Sequence, residues 1–199
     1  MIYNAPRVIR ETSQGIEYIP ITDLMLQRRE VWLNGEIDSS MADAVISQIL
    51  YLDAEQPGKE ITLYIDSDGG SVSAGLAIYD VMQAVQSSIR TVCIGMAASM
   101  AAVIFSAGNR REILRHGEVM IHDPLVSGGI SGSALTVQDK SQRLMQLRKI
   151  LCGILAQHTG KTLKQIYTMT AKDTYFAAED AVKYGLADTV VEKLERSSV

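Results

Sequence analysis

The sequence predicts an α/β fold in which helices cover a mostly parallel sheet. Short β-branched runs alternate with helical patterns through the first two thirds of the chain, and turns rich in glycine or other small residues follow the runs. Hydrophobic residues make up 47% of the 199 positions, which is enough for one sizeable core. Alternation at this spacing favours right-handed strand–helix–strand units within a single domain.

The first strand–helix unit lies near residues 30–58. Glu30–Asn34 is predicted as a strand that ends at Gly35. The helix that follows has an N-cap in Asp38 or Ser39 and stops at the Pro57–Gly58 pair. Its apolar positions recur near the helical period: Ala42, Val45, Ile46, Ile49, Leu50 and Leu52.

Two further units follow. The strand ITLYI precedes the glycine-rich turn SDGGSVSAG and the helix LAIYDVMQAV. The strand IRTVCI precedes the small-residue turn GMAASM and a short apolar helix. Both turns follow strands of the predicted parallel sheet, so they lie at its carboxyl edge, where ligands and catalytic groups gather in such folds.

The rest of the chain adds a strand, a glycine-rich stretch and a long helix. Glu118–His122 is predicted as a strand, followed by the low-bulk stretch DPLVSGGISGS. A helix is predicted over Ala134–His158, with Gly160 as its C-terminal stop. A small sheet cannot cover the whole apolar side of this helix, so we expect the rest to bind a partner. The alternative is that the helix simply extends from its own chain without a partner. Two short helices, a terminal strand and a polar tail complete the chain.

Composition and charge argue against several classes of protein. The formal net charge of −4 supplies no basic stripe for a phosphate backbone, so no nucleic-acid partner is expected. The apolar stretches are broken by Gly and Ser, and the N-terminus lacks the apolar core of a signal peptide, so we expect no membrane association and a cytoplasmic location. Cys93 and Cys152 lack metal-ligand spacing and are expected to act as small hydrophobes in a reducing compartment.

Ser99 stands in the turn GMAASM, where a strand is followed by a helix. A serine at a helix N-terminus is commonly a cap. The alternative is a nucleophile on a sharp turn, because the small neighbours permit a bend and the close approach of a substrate. The N–H of Met100 would then face a developing oxyanion, and the N–H groups of Gly69 and Gly70 could complete the hole. The pattern is not the G-x-S-x-G of α/β-hydrolases.

A nucleophilic serine needs a base, and the chain has three histidines. His122 ends a strand at the same edge of the sheet as Ser99 and is the best candidate. His116 lies in a predicted exposed turn. His158 lies in the last turn of the long helix, where a cation suits the helix dipole, so a structural role is expected.

Spacing alone does not identify the acid that would orient the histidine, because a triad carboxylate can come from anywhere in a fold. Asp123 is adjacent to His122 and would point to the opposite face of the strand. Asp173 lies in a loop between the two short helices, beside two aromatic residues. Three further carboxylates stay open as candidates: Asp66, Asp68 and Asp180.

Four motifs, in this order, resemble a known family: YIDSDGGSVSAGLAIYD, CIGMAASMAA, VMIHDPL and HTGKTLKQI followed by KDTYFAAEDAVKYGLAD. They are similar to the proteolytic subunit of the Clp ATP-dependent protease, the ClpP family, from about residue 5 to 190. The resemblance implies the ClpP/crotonase-like fold of stacked ββα units. It further implies an N-terminal arm or axial collar at 1–27, one protease domain at 28–193 with a protruding handle helix at about 134–158, and a polar tail at 194–199.

The resemblance implies a serine endopeptidase that works through an acyl-enzyme and needs no metal. The family's catalytic triad falls on Ser99, His122 and Asp173. Its oxyanion hole falls on the N–H groups of Gly70 and Met100. An extended substrate would pair as an added strand beside the glycine-rich segment. The substrate-binding residues of that segment would be Val126, Ser127, Gly128 and Gly129.

The resemblance also implies partners. Family members stack two heptameric rings around a closed chamber, so a homomeric or mixed assembly is expected. A separate unfoldase of the AAA+ class would use ATP and feed unfolded polypeptides into the chamber. No cofactor is expected in this chain, which carries no G-x-x-x-x-G-K-[ST] motif.

Several positions depart from the family pattern. Asp68 stands where the family usually has proline, and Ala171 and Lys172 replace an acid–arginine pair that the family uses across the ring interface. Thr62 and Ala84 replace aromatic residues of the ATPase docking pocket. These departures favour a divergent second paralogue, and they leave a mainly structural, weakly active subunit of a mixed ring as the alternative. A crotonase-like acyl-CoA enzyme is disfavoured, because such enzymes do not need GMAASM with a downstream histidine and aspartate.

Overall fold

Nine strands occur in the part of the chain that the computed structural model describes, which is residues 6–126, 128–129 and 131–194. They are β1 (Arg7–Thr12), β2 (Gly15–Pro20), β3 (Glu30–Ile37), β4 (Ile61–Gly70), β5 (Ile89–Ala98), β6 (Arg110–Leu114), β7 (Glu118–Ile121), β8 (Thr174–Ala177) and β9 (Thr189–Val191). The first two form a separate antiparallel hairpin. The other seven form one sheet.

Helices lie between these strands. They are α1 (Ile21–Gln27), α2 (Ser39–Glu55), α3 (Val72–Ala84), α4 (Met100–Ser106), α5 (Ala134–Thr159), α6 (Leu163–Thr170) and α7 (Ala178–Tyr184). Asp38 caps α2, as its position predicted, by accepting a 2.8 Å hydrogen bond from the N–H of Met41. Among the described residues, no helix combines the length and apolar character that a membrane span requires.

The sheet is mostly parallel, and this confirms the predicted fold class. Its main path runs β3-β4-β5-β6-β9, with parallel pairing at every step. The strand β5 is longer than its partner β6, and its last residues pair parallel with β7 instead. Only β8 is antiparallel, and it pairs with β7. The architecture is a mixed α/β fold with a parallel central sheet, consistent with the ClpP/crotonase-like class.

Three strands extend further than the sequence predicted. The strand predicted to end at Gly35 continues to Ile37, and the next two continue into the predicted turns, to Gly70 and to Ala98. The pairing shifts register between Asn34 and Glu36, which shows that an irregularity absorbs the glycine. Glycine weakens a strand but is tolerated where the ladder is irregular, so the turn residues remain part of the sheet.

The N-terminal region contains more regular structure than its weak sequence signals indicated. The hairpin of β1 and β2 spans Arg7 to Pro20, and α1 follows directly. The hairpin exposes apolar side chains, including Ile9 and Tyr18. Its role as an axial collar stays a prediction.

The helix α4 is buried on every side. All seven of its residues are buried, and it packs against β4, β5, α3 and α5. A helix that is apolar all round belongs inside a core, so it cannot shift without disturbing its neighbours. The residue that precedes it, Ser99, is therefore fixed to a rigid part of the molecule.

The long helix α5 agrees with its predicted bounds to within one residue. Ser133 caps its start, and Gly160 ends it in the left-handed conformation with φ of 69°. Only its C-terminal half reaches the core, through Leu151, Cys152, Ile154 and Leu155. Its N-terminal half leaves apolar side chains in solvent, with Leu135 72% exposed and Met145 56% exposed. This is the apolar surface for which the sequence predicted a partner.

Candidate active site

Ser99 lies at the junction between β5 and α4 in an unusual backbone conformation. Its φ is 55° and its ψ is −119°, a region that residues with a side chain rarely adopt. Its N–H donates to the carbonyl of Met120 at 2.9 Å, and its own carbonyl accepts from the N–H of Ala102 at 3.1 Å. Backbone hydrogen bonds on both sides therefore hold the strained residue in place.

The side chain of Ser99 makes no cap hydrogen bond to α4, so the interpretation of this serine as a helix cap is wrong. Its Oγ lies 2.8 Å from Nε2 of His122 instead. The histidine comes directly after β7, and β7 pairs with the end of β5 through Ala98 and Met120. Parallel pairing thus brings the two side chains to one edge of the sheet, as their positions after neighbouring strands predicted.

Asp173 lies on the other side of the imidazole. Its Oδ1 is 3.2 Å from Nδ1 of His122. The two residues meet because β7 and β8 pair antiparallel, with Ile121 opposite Thr174. The carboxylate side chain is 61% exposed, whereas that of the histidine is 14% exposed. The structure therefore brings Ser99, His122 and Asp173 into one chain of polar contacts.

Three of the other carboxylates weighed for this position are engaged elsewhere, and the fourth, Asp68, is exposed on β4. Asp123 binds Arg148, Asp66 accepts from the backbone N–H of Met96, and Asp180 pairs with Lys183 within its own helix. Of the acids weighed as candidates, Asp173 is the one whose contact with His122 the structure gives. Spacing did not indicate the antiparallel pairing of β7 with β8 that brings it there, although the resemblance of KDTYF to the family motif had pointed to this residue.

The remaining histidines lie away from Ser99. His116 is in an exposed turn. His158 has its Nε2 3.3 Å from the hydroxyl of Tyr79, and burial lowers the pKa of its imidazole, with a smaller contribution from Arg111. Its ring also meets Tyr79 edge-on. This environment fits a structural role, but as a neutral ring packed on Tyr79 and not as the cation that its place at the end of the helix predicted.

A pair of glycines at the end of β4 lies beside the serine. A Cβ on Gly69 would lie 2.8 Å from Cβ of Ser99, 2.7 Å from the carbonyl oxygen of Ala98 and 3.0 Å from the nitrogen of Met100. Gly70, which was the predicted member of the oxyanion hole, lies against the backbone of Ile37. Of the two glycines that the sequence offered for the hole, Gly69 is thus the one that leaves no room for a side chain beside the serine.

We expect Gly69→Ala to lower both stability and reactivity at Ser99. The new methyl group would overlap the backbone beside the serine, and φ of +97° is unfavourable for alanine. Misplacement of a reacting group by about 1 Å costs on the order of 10²-fold in rate, and the strain costs about 1–3 kcal/mol in the free energy of unfolding. Labelling kinetics with a fluorophosphonate and thermal unfolding measure the two effects.

The matched control is Gly153→Ala. Gly153 lies in α5, and a Cβ there would meet nothing within 4 Å. That variant should label like the wild type and gain about 1 kcal/mol from the higher helix propensity of alanine. Equal labelling rates for Gly69→Ala and the wild type would show that the contact between Gly69 and the serine does not matter for reactivity.

An apolar pocket opens beside Ser99 and His122. Its wall comes from α3, α4, the end of β7 and the C-terminal half of α5, and includes Val72, Val103, Ile121, Leu151, Cys152 and Leu155. Burial raises the pKa of the Cys152 thiol, so this sulfur lines the pocket as a neutral, weakly nucleophilic group. The pocket has a volume of about 20 Å³, which is room for little more than one water molecule.

The predicted substrate-binding segment is described in part. Val126 is 42% exposed. Gly128 and Gly129 are exposed, with φ of 83° and 80°. Ser127 lies outside the described residues. Positive φ is not the extended conformation that a pairing edge needs, so substrate pairing at this segment stays a prediction.

One comparison with known proteins identifies the family. The family model for Clp protease matches residues 13–194, which is most of the chain. The chain belongs to the Clp protease family. Membership of the Clp protease family indicates a hydrolase of the ClpP peptidase type, and the family in general consists of serine peptidases. Clp protease family members generally form stacked rings with Clp ATPases.

The described residues include side chains of the types that bind metal ions, and their placement is as follows. Among residues 6–126, 128–129 and 131–194, no group of three or more His, Cys, Asp or Glu side chains is placed to hold a metal ion. The two cysteines are both free and buried. Burial raises the pKa of Cys93 to about 12, so this thiol stays neutral.

Proposed function

We propose that this Clp protease family member is a serine endopeptidase subunit that cleaves unfolded polypeptides inside a ring chamber. The observation that carries the proposal is the chain of contacts from Oγ of Ser99 to Nε2 of His122 at 2.8 Å, and from Nδ1 of the same imidazole to Asp173 at 3.2 Å. This is the arrangement by which a histidine activates a serine and an acid orients the histidine.

In the proposed mechanism, Oγ of Ser99 attacks the carbonyl carbon of the peptide bond while His122 takes its proton at Nε2. Asp173 accepts from the Nδ1–H, which fixes the tautomer and stabilises the imidazolium that forms. The imidazolium then gives its proton to the leaving amine, and an acyl-enzyme remains. Water attacks the acyl-enzyme by the reverse sequence and frees Ser99.

The oxyanion of each tetrahedral intermediate needs donors beside the serine. We assign this task to the N–H groups of Met100 and Gly70, as the family resemblance implies. Met100 is the first residue of α4, where the helix leaves its N–H groups without acceptors in the helix. The closeness of Gly69 to this turn supports the proposal. A Cβ on Gly69 would lie 2.8 Å from Cβ of Ser99 and 3.0 Å from the nitrogen of Met100, so the end of β4 lies beside the start of α4.

The exposed half of α5 supports assembly. Apolar side chains on an otherwise unpartnered helix mark an interaction surface, and a second copy or a paralogous subunit would bury them. We propose two stacked heptameric rings, homomeric or mixed, that dock a separate AAA+ unfoldase as the consumer of ATP. The polypeptide substrate would then reach Ser99 only from inside the chamber.

A second candidate is a mainly structural, weakly active subunit. The 61% exposure of the Asp173 side chain favours it, because an exposed carboxylate orients a histidine weakly. The two candidates differ in the reactivity of Ser99 within the assembled ring.

Hydrolysis of fluorogenic peptides tests the proposal. The purified chain is assayed alone and mixed with a standard ClpP subunit whose own nucleophile has been replaced by alanine, so that all cleavage in the mixture comes from Ser99. We expect turnover in rings of high mass, as measured by native mass spectrometry. Absence of turnover in both settings, with rings formed, would favour the structural subunit, and a stable monomer would contradict the proposed assembly.

A further inference from the structure

His122 and Asp173 belong to two chain segments that are joined on both sides of their contact. On one side, Ile121 pairs with Thr174 in the antiparallel ladder of β7 and β8. On the other side, the N–H of Asp123 donates to the carbonyl of Thr170 at 2.7 Å. The two functional side chains therefore lie within a short loop that is closed at each end.

The outer end of this loop is held by a charged network. One carboxylate oxygen of Asp123 accepts from Nε of Arg148 at 2.6 Å, and the other accepts from the hydroxyl of Thr170 at 2.6 Å. Hydrogen bonds to a charged group are stronger than neutral ones. Both oxygens are used, so removal of either partner leaves part of the carboxylate unsatisfied.

Arg148 connects this network to two helices. It belongs to the long helix α5, and its guanidinium lies 4.3 Å from the centroid of the Tyr167 ring on α6. Its Nη2 also donates to the carbonyl of Tyr167 at 3.4 Å. Thr170, the last residue of α6, is 1% exposed. The network thus fixes where α6 ends and where the segment that carries Asp173 begins.

The contact between His122 and Asp173 does not hold this geometry by itself. An ion pair or hydrogen bond to a carboxylate that is 61% exposed is worth little against competing water. The geometry must come from the segments that carry the two residues. Arg148 and Asp123 are better shielded, with side chains 23% and 32% exposed.

We propose that Asp123, Arg148 and Thr170 are positioning residues for the reaction of Ser99. They hold His122 and Asp173 at hydrogen-bond distance. The inference deepens the proposed function and rests on it. None of the three residues lines the pocket beside Ser99. Their loss therefore lowers kcat and leaves KM unchanged.

Thr170 allows the cleanest test, because valine keeps its shape and removes only the hydroxyl, whereas serine keeps the hydroxyl. We expect Thr170→Val to lower kcat for a fluorogenic peptide by about 10- to 100-fold with KM unchanged, as a small displacement of a catalytic group does. Thr170→Ser should restore most of the rate. Arg148→Gln should reproduce the loss seen with Thr170→Val.

Two matched controls separate positioning from general damage. Thr168→Val removes an exposed hydroxyl that donates only within its own helix, to the carbonyl of Lys164. Lys149→Gln removes the exposed charge next to Arg148. Both controls should keep the wild-type kcat, and all variants should keep the wild-type ring mass and unfolding temperature to within a few degrees.

Two results would overturn the inference. One is a kcat for Thr170→Val and Arg148→Gln within twofold of the wild type. The other is a loss of kcat that follows a loss of ring mass or of unfolding temperature, because the residues would then act through the fold.

An inactive wild type would contradict the proposed function, and turnover could then not test the positioning role. A second measurement therefore does not depend on turnover. Crystal structures of the wild type and of Thr170→Val give the distance from Nδ1 of His122 to Asp173. We expect that distance to exceed hydrogen-bond range in the variant. A distance unchanged from 3.2 Å would overturn the positioning role whether or not the chain is an enzyme.

Discussion

Ser99→Ala is expected to abolish peptide hydrolysis and fluorophosphonate labelling while the chain still folds and assembles. The hydroxyl is the group that would form the covalent bond, and no other nucleophile replaces it, since the neighbouring Cys152 is held as a neutral thiol. Loss of a triad serine costs on the order of 10⁶ in kcat. Peptide turnover by the assembled variant measures the effect.

A companion variant, Ser99→Gly, tests the backbone at the same position. It should be as inactive as the alanine variant but more stable, because glycine adopts φ of 55° and ψ of −119° without strain. We expect a gain of about 1 kcal/mol in the free energy of unfolding over alanine. Equal stability of the two variants would show that the observed conformation carries no strain.

His122→Ala is expected to lower kcat almost as far as the loss of the serine. Without Nε2 of His122, no base takes the proton from Ser99 as it attacks, and no acid protonates the leaving amine. Residues of a triad act as a unit, so the double variant with Ser99→Ala should be no worse than Ser99→Ala alone. Turnover that falls further in the double variant would contradict a shared mechanism.

The other two histidines provide matched controls for this prediction. His116→Ala changes an exposed turn and should leave turnover and stability unchanged. His158→Ala removes a contact with Tyr79 and should lower the unfolding temperature without lowering kcat of the folded protein. A loss of kcat in His116→Ala equal to that in His122→Ala would contradict the role of His122 as the specific base for Ser99.

Periodicity predicted most helices well and misjudged the ends of the strands. The helix α5 was predicted almost to the residue, because a long apolar pattern runs along it and Gly160 ends it. The strands β4 and β5 run on through segments that look like turns. Glycine and alanine carry little strand propensity, and only pairing with neighbouring strands keeps them in the sheet.

Pairing at the edge of the sheet also decided which site residues could be found. The edge that brings Ser99 and His122 together follows from parallel strand order, so local reasoning reached both. Asp173 depends on the short antiparallel strand β8, whose four residues gave no local signal, so that only the resemblance of KDTYF to the family motif pointed to this acid. The network of Asp123, Arg148 and Thr170 joins residues up to 47 positions apart, and no local pattern marks such contacts.

The measurement that tests the central claim most directly is active-site labelling with a fluorophosphonate, followed by mass spectrometry of the labelled peptide. The assembled wild type, alone and in mixed rings, should carry one label on Ser99, and the Ser99→Ala and His122→Ala variants should carry none at equal exposure. Absence of label on Ser99 in both assemblies, or a label on another residue, would contradict the proposal that this serine is the nucleophile.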